Sequence, residues 1–284
     1  MKVLVTGANG YLGRGIVKHL LDINCSVVAT DRDLSRVDDR AQKVACDLFS
    51  VNDPYKFFNK PDVLLHLAWR DGFVHYSDVH IDDLPKHYRF LKAFAESDVK
   101  LIAGMGSMHE IGFYEGCIHE DTPCKPTTPY GISKNALRML TQLLCEQNNK
   151  EYMWLRGYYI VGNSEFGSSI FSKITSAVKD GKQDFPFTMG QNQFDFIDYD
   201  LFCEQVARAV TQDKTLGIIN ICSGYPEKLA DRVERFIQEN GYKIQLKYGA
   251  FPDRPYDSKA VWGDACKIKR IIENTERFEY DNQN

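Results

Sequence analysis

The sequence predicts an α/β protein: a doubly wound parallel sheet followed by a smaller C-terminal α/β substrate lobe. Three observations carry this. Strand-like and helix-like stretches alternate through the first 157 residues. A run of three spaced glycines separates the first strand from the first helix. And Asp62–Ala68 (DVLLHLA) is apolar almost throughout, as a strand covered on both faces must be.

Taken in order, Lys2–Thr6 is a short β-branched run, and Tyr11–Leu21 places Leu12, Ile16, Val17, Leu20 and Leu21 at helical spacing. Ser26–Thr30 and Lys43–Cys46 read as the second and third strands, and Asp53–Asn59 as a short helix. Asp62–Ala68 is the fourth strand. Pro85–Ser97 follows as a helix that tolerates Pro85 in its first turn. Val99–Met105 is the fifth strand, and a polar loop runs from it to Pro129. The long helix Tyr130–Gln147 and the sixth strand Tyr152–Arg156 complete a domain over residues 1–157. Beyond it the rhythm loosens. Helices are expected at Ser168–Lys179, Phe202–Gln212, Leu229–Asn240 and Asp264–Ile272. Strands are expected at Phe194–Tyr199, Ile218–Cys222 and Ile244–Tyr248. Residues 158–284 are thus expected to form mainly a substrate-binding lobe, with segments around 194–222 returning to the first domain.

Composition narrows the class. The chain has 284 residues, 43% of them hydrophobic and 26% charged, with a formal net charge of −4. That balance suits a soluble globular protein and gives no reason to expect nucleic acid or an anionic membrane as partner. The apolar run Val3–Val5 is too short for a signal-peptide core, and no stretch of membrane-spanning length occurs. Eight cysteines occur without a Cys-x-x-Cys pair or zinc-like spacing, so reduced thiols, no metal and a cytoplasmic location are expected.

The glycine run is the first functional signal. Gly7-Ala8-Asn9-Gly10-Tyr11-Leu12-Gly13 sits between strand and helix, where glycine permits a tight turn and close approach of backbone to a pyrophosphate. The helix N-terminus then offers free N–H groups to the anion. This is the layout of a Rossmann dinucleotide site. Asp31, closing the second strand, can accept the ribose hydroxyls and so favours NAD(H). Arg32 beside it can instead pair with the extra phosphate of NADP(H). Asp47 and Leu48, after the third strand, are candidates for the adenine side.

The second signal is Tyr130 and Lys134, four residues apart and therefore on one helix face. A cation beside a phenol lowers its pKa and makes it a usable acid or base. Tyr88 and Lys92 repeat the spacing, but on a helix without glycine loop or proline-rich entry, and read as surface.

Context separates the two pairs. Pro129-Tyr130-Gly131-Ile132-Ser133-Lys134, with Ser107 ending the fifth strand, resembles the extended short-chain dehydrogenase/reductase family. So do the glycine loop, His66-Leu67-Ala68, Leu155-Arg156-Gly157-Tyr158 and Gln193-Phe194-Asp195-Phe196-Ile197-Asp198. The resemblance covers essentially the whole chain. It implies that Tyr130 exchanges a proton with a sugar hydroxyl or carbonyl while nicotinamide exchanges hydride at the same carbon. Lys134 would hold the nicotinamide ribose and tune Tyr130, and Ser107 would hydrogen-bond the reacting oxygen. Leu67 and Ala68 would border the cofactor. A nucleotide-diphosphate sugar is the implied substrate, and a homodimer built on the helices at Pro85–Ser97 and Tyr130–Gln147 the implied assembly.

Departures from the family pattern refine the expectation. Tyr159 stands where Asn is frequent, and Phe194 where Arg is frequent, which leaves Arg254, in Arg254-Pro255-Tyr256-Asp257, as the candidate contact to the diphosphate. The acid pair of similar dehydratases is missing after Ser107, where Met108-His109-Glu110 stands instead. Met108 and His109 are bulkier than the small residues of similar epimerases, and Gly-Ser-x-x-Glu-x-Gly looks like the 4-keto-6-deoxy-sugar reductases. The expected reaction is reduction of a nucleotide-linked 4-keto sugar. A 4-epimerase with tightly bound NAD and a non-catalytic NAD(P)-binding regulator remain the alternatives. Met108, His109 and Tyr159 are expected near the substrate, His109 as an extra acid or base. His66 is expected in the core. Trp69, Phe73, Tyr76 and Tyr158 are candidates for walls of the cleft.

Overall fold

Val3 and Val5 pack on one side of the first strand and Leu4 on the other, and all three are buried, so β1 (Lys2–Thr6) lies inside a sheet. The structure, a computed structural model, describes residues 1–162, 169–252 and 258–281. Next come α1 (Tyr11–Asp22), β2 (Ser26–Asp31), β3 (Gln42–Ala45), α2 (Pro54–Phe57) and β4 (Val63–His66). Then follow α3 (Val79–Ala95), β5 (Leu101–Ser107), β6 (Gly116–Ile118), α4 (Pro129–Gln147) and β7 (Glu151–Gly157). The second half holds β8 (Tyr159–Val161), α5 (Ile170–Lys179), β9 (Asp184–Pro186), β10 (Gln193–Asp198) and α6 (Tyr199–Val210). It ends with β11 (Gly217–Ile221), β12 (Pro226–Lys228), α7 (Leu229–Glu239), β13 (Gln245–Lys247), β14 (Ala260–Gly263) and α8 (Cys266–Asp281).

Seven strands form one parallel sheet in the order β11-β7-β5-β4-β1-β2-β3. The order reverses between β1 and β4. In such sheets the crevice beyond the strand ends at this switch point is where ligands sit. Helices α1, α6 and α8 cover one face and α3 and α4 the other, each over its own apolar core. This is the doubly wound Rossmann-like sheet that the sequence predicts. The smaller sheet runs β12-β10-β14-β6, with β8 also paired to β10, and β9 pairs with β13. A third core, around Phe171, Phe196 and Phe236, fills this lobe.

Chain path and lobe do not follow one cut. In the 194–222 stretch, strand β11 joins the large sheet beside β7, and α6 packs on α1. Strand β10, in the same stretch, is central to the smaller sheet, and β6, from the first half, is its edge.

Two expectations need correction. Helix α3 starts at Val79, six residues before the expected Pro85, so the proline lies inside the helix. It takes one hydrogen bond from the carbonyl of Ile81. The early turns bury His80 and Asp83. The loop expected between the fifth strand and Pro129 contains β6. Like β8, β9, β12 and β14, β6 has too few residues to show a period, and its pairing partner is distant in sequence.

Candidate active site

The glycine loop is shaped by contact. Gly7 has φ +68°, and a Cβ there would lie 2.8 Å from the backbone nitrogen of Ala68, two residues beyond β4. A Cβ on Gly13 would lie 2.3 Å from the Gly7 carbonyl oxygen. Gly10 differs. Its φ is an ordinary −65°, and an added Cβ would meet only that same carbonyl oxygen, at 3.1 Å. Gly10 is the N-cap of α1, with no side-chain cap and no acidic residue in the first turn. Among the described residues, then, no side chain caps this helix N-terminus, whose N–H groups could hold an anion such as a dinucleotide pyrophosphate. Asn9 braces the neighbouring loop. Its amide donates to Asp33 at 2.9 Å, and its carbonyl accepts from Arg36 N at 3.1 Å. Asp31 accepts from Asn9 N at 3.1 Å and Arg32 N at 2.8 Å. The Arg32 side chain is exposed. Tyr11 packs on Tyr199, ring centroids 4.6 Å apart, and Leu12 packs against the core. Asp47 caps the 3-10 turn Leu48–Ser50 by accepting from Phe49 N, and Leu48 lies against the core under α3 and α4.

A chain of side chains fixes the floor. The Thr6 hydroxyl oxygen accepts from Leu67 N and Ala68 N, both at 3.2 Å, so its own hydrogen is free to donate to His66 Nδ1 at 2.9 Å. His66 Nε2–H then donates to His87 Nδ1 at 2.8 Å. Burial holds both imidazoles neutral, His66 well below its usual range and His87 down to about 3. His66 is therefore a core histidine, as expected.

Ser107, Tyr130 and Lys134 meet at the C-terminal end of β5. The short turn Met108–Glu110 is closed by a capping box: His109 N donates to Ser107 Oγ at 3.3 Å, and Ser107 N donates to Glu110 Oε1 at 2.7 Å. Helix α4 docks on this turn because Gly131 has no side chain; a Cβ there would stand 2.4 Å from the His109 carbonyl oxygen. Thr128 caps α4 by accepting from Gly131 N, and Tyr130 N donates to the His75 carbonyl oxygen at 3.1 Å, which ties in the loop joining β4 to α3. The Tyr130 ring is stacked on His75 (5.0 Å, 7°) and touched edgewise by His80, His109 and Trp69.

Burial dominates the electrostatics. It pushes the Tyr130 phenol up to about 12, against a hydrogen bond with the Ser107 side chain, and the nearby Glu110 charge adds to the rise. It pushes the Lys134 ammonium down to about 7, against the pull of Glu110. The cation expected to lower the tyrosine is thus itself weakened by burial, and the phenol lies above its usual range. The lysine donates instead to the Met105 carbonyl oxygen at 2.8 Å and lies 4.0 Å over the Trp69 ring. Burial, with His75 beside it, also pushes His109 down to about 4.

The remaining candidates are placed as follows. Met108 is 7% exposed and packs in the larger core, so crowding beside Tyr130 falls to His109 and His75. Glu110 is fully buried against Trp154 Nε1 (3.0 Å) and Arg156 (3.8 Å). Tyr159 lies on β8 against Phe194 and Phe196. Tyr158 is in the core, while Phe73 and Tyr76 are exposed. Arg254 and Ser168 lie outside the described residues. Lys92 is exposed beside Glu96, as expected, whereas Tyr88 is half-buried against the core under α3 and α4. All eight cysteines are free thiols, and among the described residues no helix is long and apolar enough to cross a membrane. Sequence reasoning missed His75, His80 and His87. The signal was available: four of the seven histidines fall between positions 66 and 87.

Comparison with known proteins places this geometry. The model of the NAD dependent epimerase/dehydratase family matches residues 3–222. The chain is 40% identical over 270 residues to dTDP-6-deoxy-L-talose 4-dehydrogenase (NAD(+)) of Aggregatibacter actinomycetemcomitans, spanning 93% of this chain and 99% of that protein. Its fold is similar to that of a UDP-N-acetylglucosamine 4-epimerase from Methanobrevibacter ruminantium M1, at a TM-score of 0.79 and 21% identity over 95% and 91% of the two chains. A UDP-glucuronic acid 4-epimerase from Bacillus cereus, solved with its sugar nucleotide and NAD, gives 0.79 at 19% identity over 96% and 93%.

Proposed function

The chain belongs to the NAD dependent epimerase/dehydratase family, and we propose that it is an NAD(H)-dependent 4-ketoreductase of a nucleotide-diphosphate 6-deoxyhexose. The observation that carries the reading is the meeting of Ser107, Tyr130 and Lys134 at the end of β5, with the tyrosine holding its proton up to about 12. A phenol in that state is a loaded acid across the neutral range. The 40% relative is named for the same carbon and the same redox couple, written in the oxidative direction.

Bound NADH supplies the hydride. Tyr130 gives its proton to the carbonyl oxygen as the alcohol forms, and Ser107 donates a hydrogen bond to that oxygen. Lys134 and Asp31 take the two riboses of the dinucleotide, and the Gly7–Gly13 loop its pyrophosphate. Asp31 favours NADH over NADPH, so Asp31→Ala narrows the preference; a lower dissociation constant for NADPH in the wild type assigns selectivity to Arg32. In reverse, Tyr130 must first lose its proton, so oxidation speeds up as pH rises. His75 and His109 pack on Tyr130, and this bulk beside the acid supports reduction over an epimerisation in which a keto sugar must turn between two faces. The reading includes a cytoplasmic homodimer joined through α3 and α4, whose outer faces expose Ile81, Met139 and Leu143.

The test is stoichiometry. Purified protein is given NADH and 4-keto-6-deoxyhexoses on dTDP, UDP, GDP and CDP, and products are followed by NMR. One NADH consumed per ketone lost is expected. Accumulation of a 4-epimer from a nucleotide hexose with only catalytic NAD defeats the proposal.

A further inference from the structure

A buried lysine with few partners raises the question of what holds it. Lys134 has three N–H donors, and one goes to the Met105 carbonyl oxygen. The Trp69 ring lies 4.0 Å from its nitrogen. The π face of tryptophan carries negative charge density and attracts an ammonium, more strongly when water is excluded.

The indole is itself braced. Its Nε1–H donates to His80 Nδ1 at 3.0 Å. An indole nitrogen only donates, so His80 Nδ1 is an acceptor, and its proton sits on Nε2, which donates to the Val74 carbonyl oxygen at 2.9 Å. The His87 ring stacks on the indole at 4.7 Å and 16°. His87 is in turn fixed by His66 and Thr6. Two imidazoles thus set the tilt and the in-plane rotation of Trp69.

We infer that Trp69 is a positioning residue for Lys134: its braced indole face fixes where the buried ammonium sits and helps it to keep its charge. The inference rests on Lys134 belonging to the active site proposed above. The groups that face the ammonium are Glu110 from the turn after β5, His66 on β4 and His87 on α3, and Tyr130 lies one turn before Lys134 on α4. The two imidazoles are neutral and the phenol is protonated near pH 7, which leaves Glu110 and the indole face to favour the charged form.

The experiment is NMR of the ligand-free full chain labelled at the lysine ε-carbon, with Lys134→Met identifying the signal. In the wild type the Lys134 ε-protons should lie upfield of those of surface lysines, shifted by the indole ring, and should titrate below them. Trp69→Leu should lower the titration midpoint by roughly one pH unit, and Trp69→Phe, which keeps a weaker π face, by roughly half that. Unshifted wild-type ε-protons overturn the inference. So does a folded Trp69→Leu protein whose midpoint stays within about 0.2 unit of wild type. Should Trp69→Leu not fold, the wild-type ring shift and the Trp69→Phe midpoint decide in the same sense. No readout needs turnover, so failure of the reductase assay and failure of this inference are told apart.

Discussion

The glycine loop and the Tyr130 pocket are built on opposite principles. The loop is backbone: seven consecutive residues, a helix N-terminus without a cap, and glycines placed where strand β4 and the first turn of α1 come too close for side chains. The pocket is side chain: Trp69 and His75 from one loop, His80 from α3, Ser107 and His109 from β5 and the turn after it, and Tyr130 and Lys134 from α4. Contiguous backbone can be read from a motif. A pocket gathered from four segments cannot, and its chemistry is set by burial that only the fold creates. The pKa of Lys134, pushed down to about 7, is the clearest case, since nothing in Tyr-x-x-x-Lys announces it.

This division can be broken by experiment. Lys134→Met should have the largest effect. It removes the ribose contact and the ammonium together, so turnover should fall by more than the roughly 10²–10⁴-fold expected from loss of a general acid, and NADH binding should weaken. Ser107→Ala removes one hydrogen bond to the reacting oxygen and should cost about tenfold in kcat with NADH affinity kept. Steady-state kinetics with calorimetric NADH affinities separates the two.

Within the loop, Gly10 and Gly13 should part company. Gly10→Val crowds the space outside α1 and should abolish NAD(H) binding by calorimetry while the protein melts near the wild-type temperature. Gly13→Ala drives a methyl into the Gly7 carbonyl and should cost about 1–3 kcal/mol of stability. Equal stability losses in both would mean that Gly10 also serves the fold.

The smallest effect sharpens the electrostatic side. His87 is neutral in the fold down to about pH 3 and takes a proton near 6.5 when unfolded. Between those values the unfolded chain binds more protons, so stability is whole above about pH 6.5 and is lost as pH falls toward 3. His66 adds in the same direction. Denaturant melts of His87→Gln should show a shallower fall over that window; an unchanged slope would remove His87 from the account.

Much of the large sheet was legible because its central strands are buried on both faces and joined by helices of clear period. The start of α3 was not. Pro85 looks like a helix opening, yet burial of His80 and Asp83 extends the helix past it. Trp69 and Lys134 are 65 residues apart and meet in a fold where Gly131 lets α4 dock on the turn after β5. Glu110 turns inward because Trp154 and Ser107 supply its donors. The short strands of the smaller lobe take their pairing from distant partners and carry no period of their own.

The central claim is that backbone holds the cofactor and Tyr130 delivers the proton. Tyr130→Phe tests it most directly, because it keeps the ring against His75 and removes only the hydroxyl. Turnover with the best 4-keto sugar and NADH affinity should be measured on the same preparation. The account predicts a fall of roughly 10²–10⁴-fold in kcat with an unchanged NADH dissociation constant. Turnover within a factor of about three of wild type would contradict it and place the acid elsewhere.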